Sequence, residues 1–540
     1  MRGRRWAVVS CCALGASAVA QPYLDVPYVT TQSPQVFTSL FTKSRCGTVR
    51  VVLLGDSQET APGGAGAVYI PRLQYELWAR VGNAPETPWM QLGASTGGGS
   101  PWADWLWRGG NIPGGLTVSR LSEAETVPGL SPAKTSTTNG NNINGNQVYG
   151  NLLMLQHDCA NVSPSAMLSG LGPFFDRTDP IGLDVLAATN ASSGEVRVRV
   201  TPAPTAQTGF FFPSTAFYNS AMGLQSGTPE FRAQRFGPLP MGAGQYMQVE
   251  LAGTDSAAFT DLVAARFVNL ADPRGWAITS LSRGGYKALD LAYFHPACGP
   301  MIGALGPDVA FICYGANDAS GNTPPPDPVR ITPARYRADL EWVIAYLRQH
   351  TRADLPIVLI SDPARTNLPD PEAGEYLDAQ PGIHRDMALA DPLVCALNSR
   401  RLTHEAGWTP QNGAPYLADG VHYTPYGAQL KAQLEVQALF AAFFPPPTDC
   451  NTNGVDDRCD IASGTSLDLD GDGVPDECAC SPDVNCDGAA NGVDVEVQER
   501  AVGGDLADYC LPDADFNSDG AINGFDVASV ETAVGTGECP

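Results

Sequence analysis

The sequence predicts an α/β protein: a parallel sheet covered by helices, interrupted by a long β-rich insert and followed by a small acidic module. Three observations predict it. Apolar, strand-like runs alternate with helical periodicity at both ends of the main body, which implies parallel strands with helices on both faces. Between those ends the texture changes to short alternating runs among frequent Gly, Pro, Asn and Thr. The negative charge gathers at the far end: residues 449 to 540 carry 22 Asp and Glu against two Arg and no Lys, within a 540-residue chain of formal net charge −25.

Composition excludes several classes. A 43% hydrophobic and 8% aromatic content excludes a wholly disordered chain. The net negative charge argues against a nucleic-acid partner, because phosphate binding needs surplus Lys and Arg. Beyond the N-terminal leader no segment offers the ~18 uninterrupted apolar residues of a membrane span.

Residues 1–20 read as a secretion signal. Arg2, Arg4 and Arg5 precede an apolar stretch from Trp6 to Ala16, and Ala18-Val19-Ala20 is a small-x-small cleavage site before Gln21. The lipobox-like Val8-Val9-Ser10-Cys11 has only a very short apolar run before its cysteine. Export predicts a secreted or cell-surface protein and permits disulfides among the cysteines that follow. Seven of these lie in the acidic tail, an odd number that cannot all pair there.

In the body, Thr48 to Leu54 is the first strand, β-branched and apolar, stopping at Gly55. A helix follows over Val68 to Val81, with Leu73, Leu77 and Val81 at helical spacing. Residues 82–272 form the β-rich insert. There Glu195 to Val200 and Tyr246 to Leu251 alternate as strands of an antiparallel sheet, and Ser136 to Asn151 is an Asn/Gly-rich loop too polar for a core. Sandwich-like inserts often bind carbohydrate, and Trp102, Trp105 and Trp107 are candidates to stack on sugar rings. Strand–helix alternation then resumes. Trp276 to Ser282, Val309 to Tyr314 and Pro356 to Ser361 read as buried strands; Thr332 to Gln349, Asp386 to Ala406 and Pro425 to Phe444 read as helices. The α/β domain thus spans residues 21–81 and 273–444, and 445–448 form a stiff proline linker.

Three motifs carry chemistry. Gly55-Asp56-Ser57 follows the first strand, at the carboxyl edge where parallel sheets place their reacting groups. Gly315-Ala316-Asn317-Asp318 ends another strand, and Asp419-Gly420-Val421-His422 precedes the last helix. Each alone is an ordinary turn or cap; their order, and the position of two of them at strand ends, is not expected by chance. A serine hydroxyl attacks poorly until an imidazole takes its proton, a carboxylate fixes the imidazole tautomer, and an amide donor stabilises the oxyanion. Gly93-Ala94-Ser95-Thr96-Gly97 matches a nucleophile elbow but lacks the strand–turn–helix context that elbow needs. The histidines at 157, 295, 350, 384 and 404 form no metal-spaced group, so no catalytic cofactor is expected.

Over Val49 to about Val81 and Trp276 to Phe444 the chain resembles the SGNH (GDSL-type) hydrolases. The resemblance implies a three-layer α/β/α sandwich with a flavodoxin-like parallel sheet, and ester hydrolysis through an acyl-enzyme. It implies Ser57 as nucleophile, His422 as general base and Asp419 as its orienting carboxylate. The oxyanion donors it implies are the Ser57 amide, the Asn317 side chain and a glycine amide. The glycine falls in Arg283-Gly284-Gly285-Tyr286, with Gly285 preferred by register and Gly284 next to it. Gln58 stands where the family's name motif has leucine, a change of little weight because that leucine is not a reacting group.

In the tail, Asp483, Asn485, Asp487, Gly488, Asn491 and Asp494 occupy positions 1, 3, 5, 6, 9 and 12 of a calcium loop. The set recurs as Asp515, Asn517, Asp519, Gly520, Asn523 and Asp526, and the segments after each loop also match. Residues 481–540 therefore resemble a dockerin module, which implies Ca2+ and a cohesin-like protein partner. Residues 449–480, with Asp449-x-Asn451-x-Asn453-Gly454 and Asp468-x-Asp470-x-Asp472-Gly473, resemble thrombospondin type 3 repeats. Together these features predict a secreted esterase that removes acyl groups, chiefly acetyl, from a polysaccharide. The alternatives are a lipase for lipid or small esters, and a calcium-stabilised assembly protein with a relic core.

Overall fold

The computed structural model describes residues 21–60, 69–83, 85–86, 89–91, 261–320, 332–451, 453–468, 474–475, 482–511, 514–517 and 520–536, together with strand segments between 117 and 260. The chain divides at Pro445/Pro446 into two compact units.

The body begins with β1 (Val29–Thr31), α1 (Pro34–Cys46), β2 (Thr48–Gly55), α2 (Ser57–Thr60) and α3 (Tyr69–Val81). After the insert come β3 (Gly275–Ser280), α4 (Asp290–Phe294), α5 (Gly299–Leu305), β4 (Val309–Cys313), α6 (Ala316–Ser320) and α7 (Pro333–His350). They are followed by β5 (Ile357–Ile360), α8 (Pro371–Ala388), β6 (Val394–Leu397), α9 (Ser399–Glu405) and α10 (Pro425–Phe443). The strands form one sheet in the order β1-β6-β5-β4-β2-β3, parallel throughout except for the antiparallel edge strand β1.

The alternation of side chains along β2 builds the layers. Val49, Val51 and Leu53 join a buried cluster with Phe37 and Phe41 of α1, Leu73, Leu77 and Trp78 of α3, and Phe440 and Phe443 of α10. Val52 and Leu54 point the other way, into a cluster with Met301 and Ile302 of α5, Leu340, Val343 and Leu347 of α7, and Leu377 of α8. The sheet is therefore covered on both faces, the three-layer arrangement expected. That is why its strands read as nearly unbroken apolar runs.

Two expectations need correction. The span 386–406, read as one helix, contains the end of α8, the whole of β6 and α9. A four-residue apolar run such as Val394-Cys395-Ala396-Leu397 has too few residues to show a period, and pairing with β5 decides it. Ser136 to Asn151, read as a loop, contains paired strands Gly140–Ile143 and Asn146–Tyr149. Backbone pairing does not need apolar side chains, and the intervening Asn144-Gly145 is a hairpin sequence signal.

Within the insert, Glu195–Ala203 and Tyr246–Gly253 pair antiparallel with each other and with Tyr218–Gly223 and Leu153–Asp158. A second antiparallel sheet contains Glu230–Leu239, Ile181–Thr189 and Thr260–Asn269. An ion network with a buried centre of Glu86, Asp184 and Arg266 and more exposed arginines at its ends fastens this sheet to β2. Arg50 donates to Glu86 at 2.9 Å; Arg266 bonds Glu86 and, at 2.9 Å, Asp184; Arg235 donates to Asp184 at 2.7 Å. The Arg266 guanidinium lies 4.4 Å over the Trp89 ring. Trp102, Trp105, Trp107 and the Gly93–Gly97 segment lie outside the described residues.

The second unit holds α11 (Asp457–Ser463), α12 (Gly492–Val502) and α13 (Gly524–Thr536). Its core is small: Val484, Val497 and Val530 are buried, with Val495, Leu511, Phe516 and Val534 packed around them. Cys486 and Cys510 form a disulfide; Cys46, Cys450 and Cys459 are also disulfide-bonded, and Cys298, Cys313 and Cys395 are buried thiols.

Candidate active site

Ser57 opens α2 directly after β2, so the strand end delivers its hydroxyl to the sheet's carboxyl edge. On one side the ladder with β3 continues past the strand. Leu281 donates to the Leu53 carbonyl at 2.7 Å and Arg283 to the Gly55 carbonyl at 3.1 Å. This extension carries Gly284 to Ser57: a Cβ built on Gly284 would stand 3.5 Å from the Ser57 Cβ. Gly285 instead takes φ +84°, turning the chain, and a Cβ there would meet nothing within 4 Å. Of the two glycines, Gly284 is the one at the serine.

On the other side Cys313 pairs with Gly55, and the chain turns directly into α6. The Asn317 side chain donates to the Tyr286 carbonyl at 3.1 Å. Its amide carries two N–H groups, and this bond uses one.

His422 arrives from the loop before α10. Its Nε2 lies 2.9 Å from the Ser57 Oγ and its Nδ1 lies 2.7 Å from Asp419 Oδ2. The three residues, distant in sequence, thus form one continuous hydrogen-bond chain. The loop itself is tightly held. Asp419 Oδ1 accepts the amides of Val421 and His422 at 2.9 and 2.7 Å, and the Gly420 carbonyl accepts those of Thr366 and Asn367 at 3.1 and 3.2 Å. Gly420 needs its φ of +83°, and a Cβ there would press on Asn367 and Thr366. Desolvation opposes it, but together the His422 amide and imidazole and the Val421 amide outweigh it and hold the Asp419 carboxyl down to about 2. It is therefore ionised wherever an imidazole titrates.

Beneath the serine lies a set of buried acids that sequence reading had not singled out. Asp56 accepts the Gln58 amide at 2.8 Å, and Glu59 accepts the Asp56 amide at 3.0 Å. Burial, then the neighbouring Asp362, pushes the Asp56 carboxyl up to about 7; burial raises Asp362 to about 6 and Glu59 well above its ordinary range. Lys431, buried with Glu435 at 2.8 Å, lies 3.6 Å over the Tyr69 ring and supplies positive charge to the set. Gln58 also proves more than a spacer. It is buried, donating to the Val421 carbonyl at 3.1 Å and accepting from the Tyr423 hydroxyl at 2.8 Å. The available signal was a polar residue at a position where an apolar one would serve.

In the second unit the two predicted loops share one hydrogen-bond scheme. Asp483 accepts the Gly488 amide at 2.8 Å and Asp515 that of Gly520 at 2.7 Å. Asp494 accepts the amides of Asn485 and Asn491 at 3.3 and 2.8 Å; Asp526 accepts those of Asn517 and Asn523 at 3.1 and 2.7 Å. Asp487 accepts the Ala489 amide at 3.0 Å, and Asp519 lies outside the described residues. A third segment is built alike: Asp449 accepts the Gly454 amide at 2.9 Å, and Asp460, at position 12, accepts the Asn453 side chain at 2.9 Å. All these side chains offer hard oxygens of the kind that suit Ca2+, while among the described residues no three carboxylates, imidazoles or thiols stand close enough together to hold a metal ion.

No family model matches the chain, and no curated protein matches it. Among solved structures, one described as "Peptidoglycan O-acetylesterase in action, 5 min" is 15% identical with a TM-score of 0.50, over 77% of this chain and 99% of that one. A family two carbohydrate esterase from Clostridium thermocellum, in complex with cellohexaose, is 9% identical with a TM-score of 0.26, over 58% of this chain and 98% of that one. The chain shares its α/β/α fold with the first of these structures.

Proposed function

We propose that this protein is a secreted serine ester hydrolase of the SGNH type that removes O-acetyl groups from a polysaccharide. The observation that carries the proposal is the unbroken Ser57–His422–Asp419 chain, at 2.9 and 2.7 Å, with Gly284 against Ser57. His422 Nε2 takes the Ser57 proton as Oγ attacks the ester carbonyl. The oxyanion that forms is met by the amides of Ser57 and Gly284 and by Asn317, each donor contributing on the order of 3 kcal/mol. The imidazolium, stabilised by Asp419, passes its proton to the departing sugar alkoxide, leaving an acyl-serine. Water then repeats the cycle, with His422 as base, and releases the acid.

Acetyl as the acyl group is supported by the name of the structure that shares the fold, and export by the N-terminal leader. The C-terminal loops would hold Ca2+ through Asp483, Asn485, Asp487, Asn491 and Asp494, and through Asp515, Asn517, Asp519, Asn523 and Asp526. Turnover of an aryl acetate by the native chain and by Ser57→Ala tests the enzyme reading. The variant is expected to lose ~10³-fold or more; equal rates would dismiss Ser57 as nucleophile. Acetylated glycans set against long-chain esters then test the substrate.

A further inference from the structure

We propose, resting on the reading of Ser57 as nucleophile and His422 as base, that Gln58 is a positioning residue whose amide fastens the His422 loop to the turn carrying Ser57. Gln58 is 1% exposed and follows Ser57 directly in α2. Its Nε2 donates to the Val421 carbonyl at 3.1 Å, and its Oε1 accepts from the Tyr423 hydroxyl at 2.8 Å. Val421 and Tyr423 are the two chain neighbours of His422, so one side chain grips the loop on both sides of the imidazole.

The direction of these bonds is fixed by chemistry. A backbone carbonyl only accepts, so the Val421 contact orients the amide, and the Tyr423 hydroxyl must be the donor. The other anchors of the loop lead elsewhere. Thr366 and Asn367, which hold the Gly420 carbonyl, lie beyond β5, and the bond from the Ala418 amide to the His422 carbonyl, at 2.8 Å, stays within the loop. Among the described residues, Gln58 is the side chain next to Ser57 that reaches the backbone of this loop. A leucine in its place would fill the volume and make neither bond. The 2.9 Å contact between Ser57 and His422 would then depend on two separately anchored segments keeping their distance. A misplacement of about 1 Å between reacting groups costs on the order of 100-fold in rate.

The test is steady-state hydrolysis of an aryl acetate by the full chain, across pH, for Gln58→Leu, Tyr423→Phe and the double variant, with thermal melting followed in parallel. Gln58→Leu is expected to lower kcat about 10- to 100-fold, to leave KM unchanged and to displace the acid limb of the pH profile. Tyr423→Phe keeps the Val421 bond and should lose less, and the double variant should be no worse than Gln58→Leu, because both act through one link. A Gln58→Leu kcat within about twofold of the native value at every pH would overturn the proposal, as would additive losses in the double variant. A loss accompanied by an unchanged pH profile would do the same. Should Gln58→Leu fail to fold, Tyr423→Phe decides alone: a reduced kcat with a displaced acid limb supports the link, and native behaviour removes it. Ser57→Ala separates the two levels. If it is inactive while Gln58→Leu is fully active, only the positioning role falls; if it is fully active, the catalytic reading itself falls.

Discussion

In the α/β body Asp56, Glu59 and Asp362 are fully buried, with Lys431, Arg365 and Arg400 supplying opposing charge. In the C-terminal module Asp483 and Asp515 are half-buried, Asp487 is exposed, and Asp494 and Asp526 are fully buried, and all of them accept backbone amides. The difference lies in what meets each charge: in the body the buried acids face one another and cationic side chains, whereas the module's buried Asp494 and Asp526 each accept two backbone amides beside a core of Val484, Val497 and Val530. Burial raises a carboxyl's pKa, while amide bonds at the surface lower it. Asp419 shows both regimes meeting in one site. It belongs to the body, yet its side chain is 55% exposed and it uses the module's device, a carboxylate accepting amides a few residues ahead.

The largest expected effect tests that exception. Asp419→Asn keeps the shape but removes the charge that fixes the His422 tautomer, so kcat for an ester substrate should fall by on the order of 10³ to 10⁴. A fall of less than tenfold would mean that this exposed carboxylate only caps its loop.

Next comes the buried network between insert and body. Arg266→Met takes the shared cation from Glu86 and Asp184 but leaves Arg50 on the first and Arg235 on the second, so chemical denaturation should show a loss of about 3 kcal/mol, the low end for breaking a buried ion pair. A loss under 1 kcal/mol would place these ions in the weakly contributing regime of exposed pairs.

The module should respond to calcium where the body does not. At about 100 times the dissociation constant, Ca2+ should stabilise it by about 2.7 kcal/mol, seen in calorimetry as an upward shift of one transition. Chelation should reverse that shift and leave aryl-ester turnover intact. A flat titration would remove the calcium assignment.

The smallest effect concerns pH. Asp56 and Asp362 are raised acids, so the folded state holds protons that the unfolded chain releases near its ordinary value of about 4. Their contribution is complete below that value and is lost as pH rises to about 7, through the folded values. Asp56→Asn should therefore flatten the decline in stability between pH 4 and 7 and gain relative to the native chain at the upper end. A steeper decline in the variant would contradict the assignment.

Much of this was legible because reactive groups sit at strand ends. Gly55-Asp56-Ser57 and Gly315-Ala316-Asn317-Asp318 each follow an apolar run that is a strand in the structure. The helices over 69–81 and 333–350 also followed from their apolar spacing, and 425–443 was likewise read as helical. Other elements were not legible. Strand β6 is too short to carry a period, and α8 contains Gly374, Pro381 and Gly382, residues that argue against a helix until packing on β6 overrides them. β1 and α1 went unread before the first strong strand.

By itself the sequence determined the alternation of layers, the order of the three motifs and the regular Asp/Asn spacing of the acidic loops, because each is written in neighbouring residues as a period or a fixed offset. Only the tertiary structure decided that Gly284 rather than Gly285 lies at Ser57, and that Gln58 reaches both neighbours of His422. It alone gathered Asp56, Glu59, Asp362 and Lys431 next to Ser57. Those relations join residues hundreds of positions apart, and their energies depend on distance and burial, which no local pattern encodes.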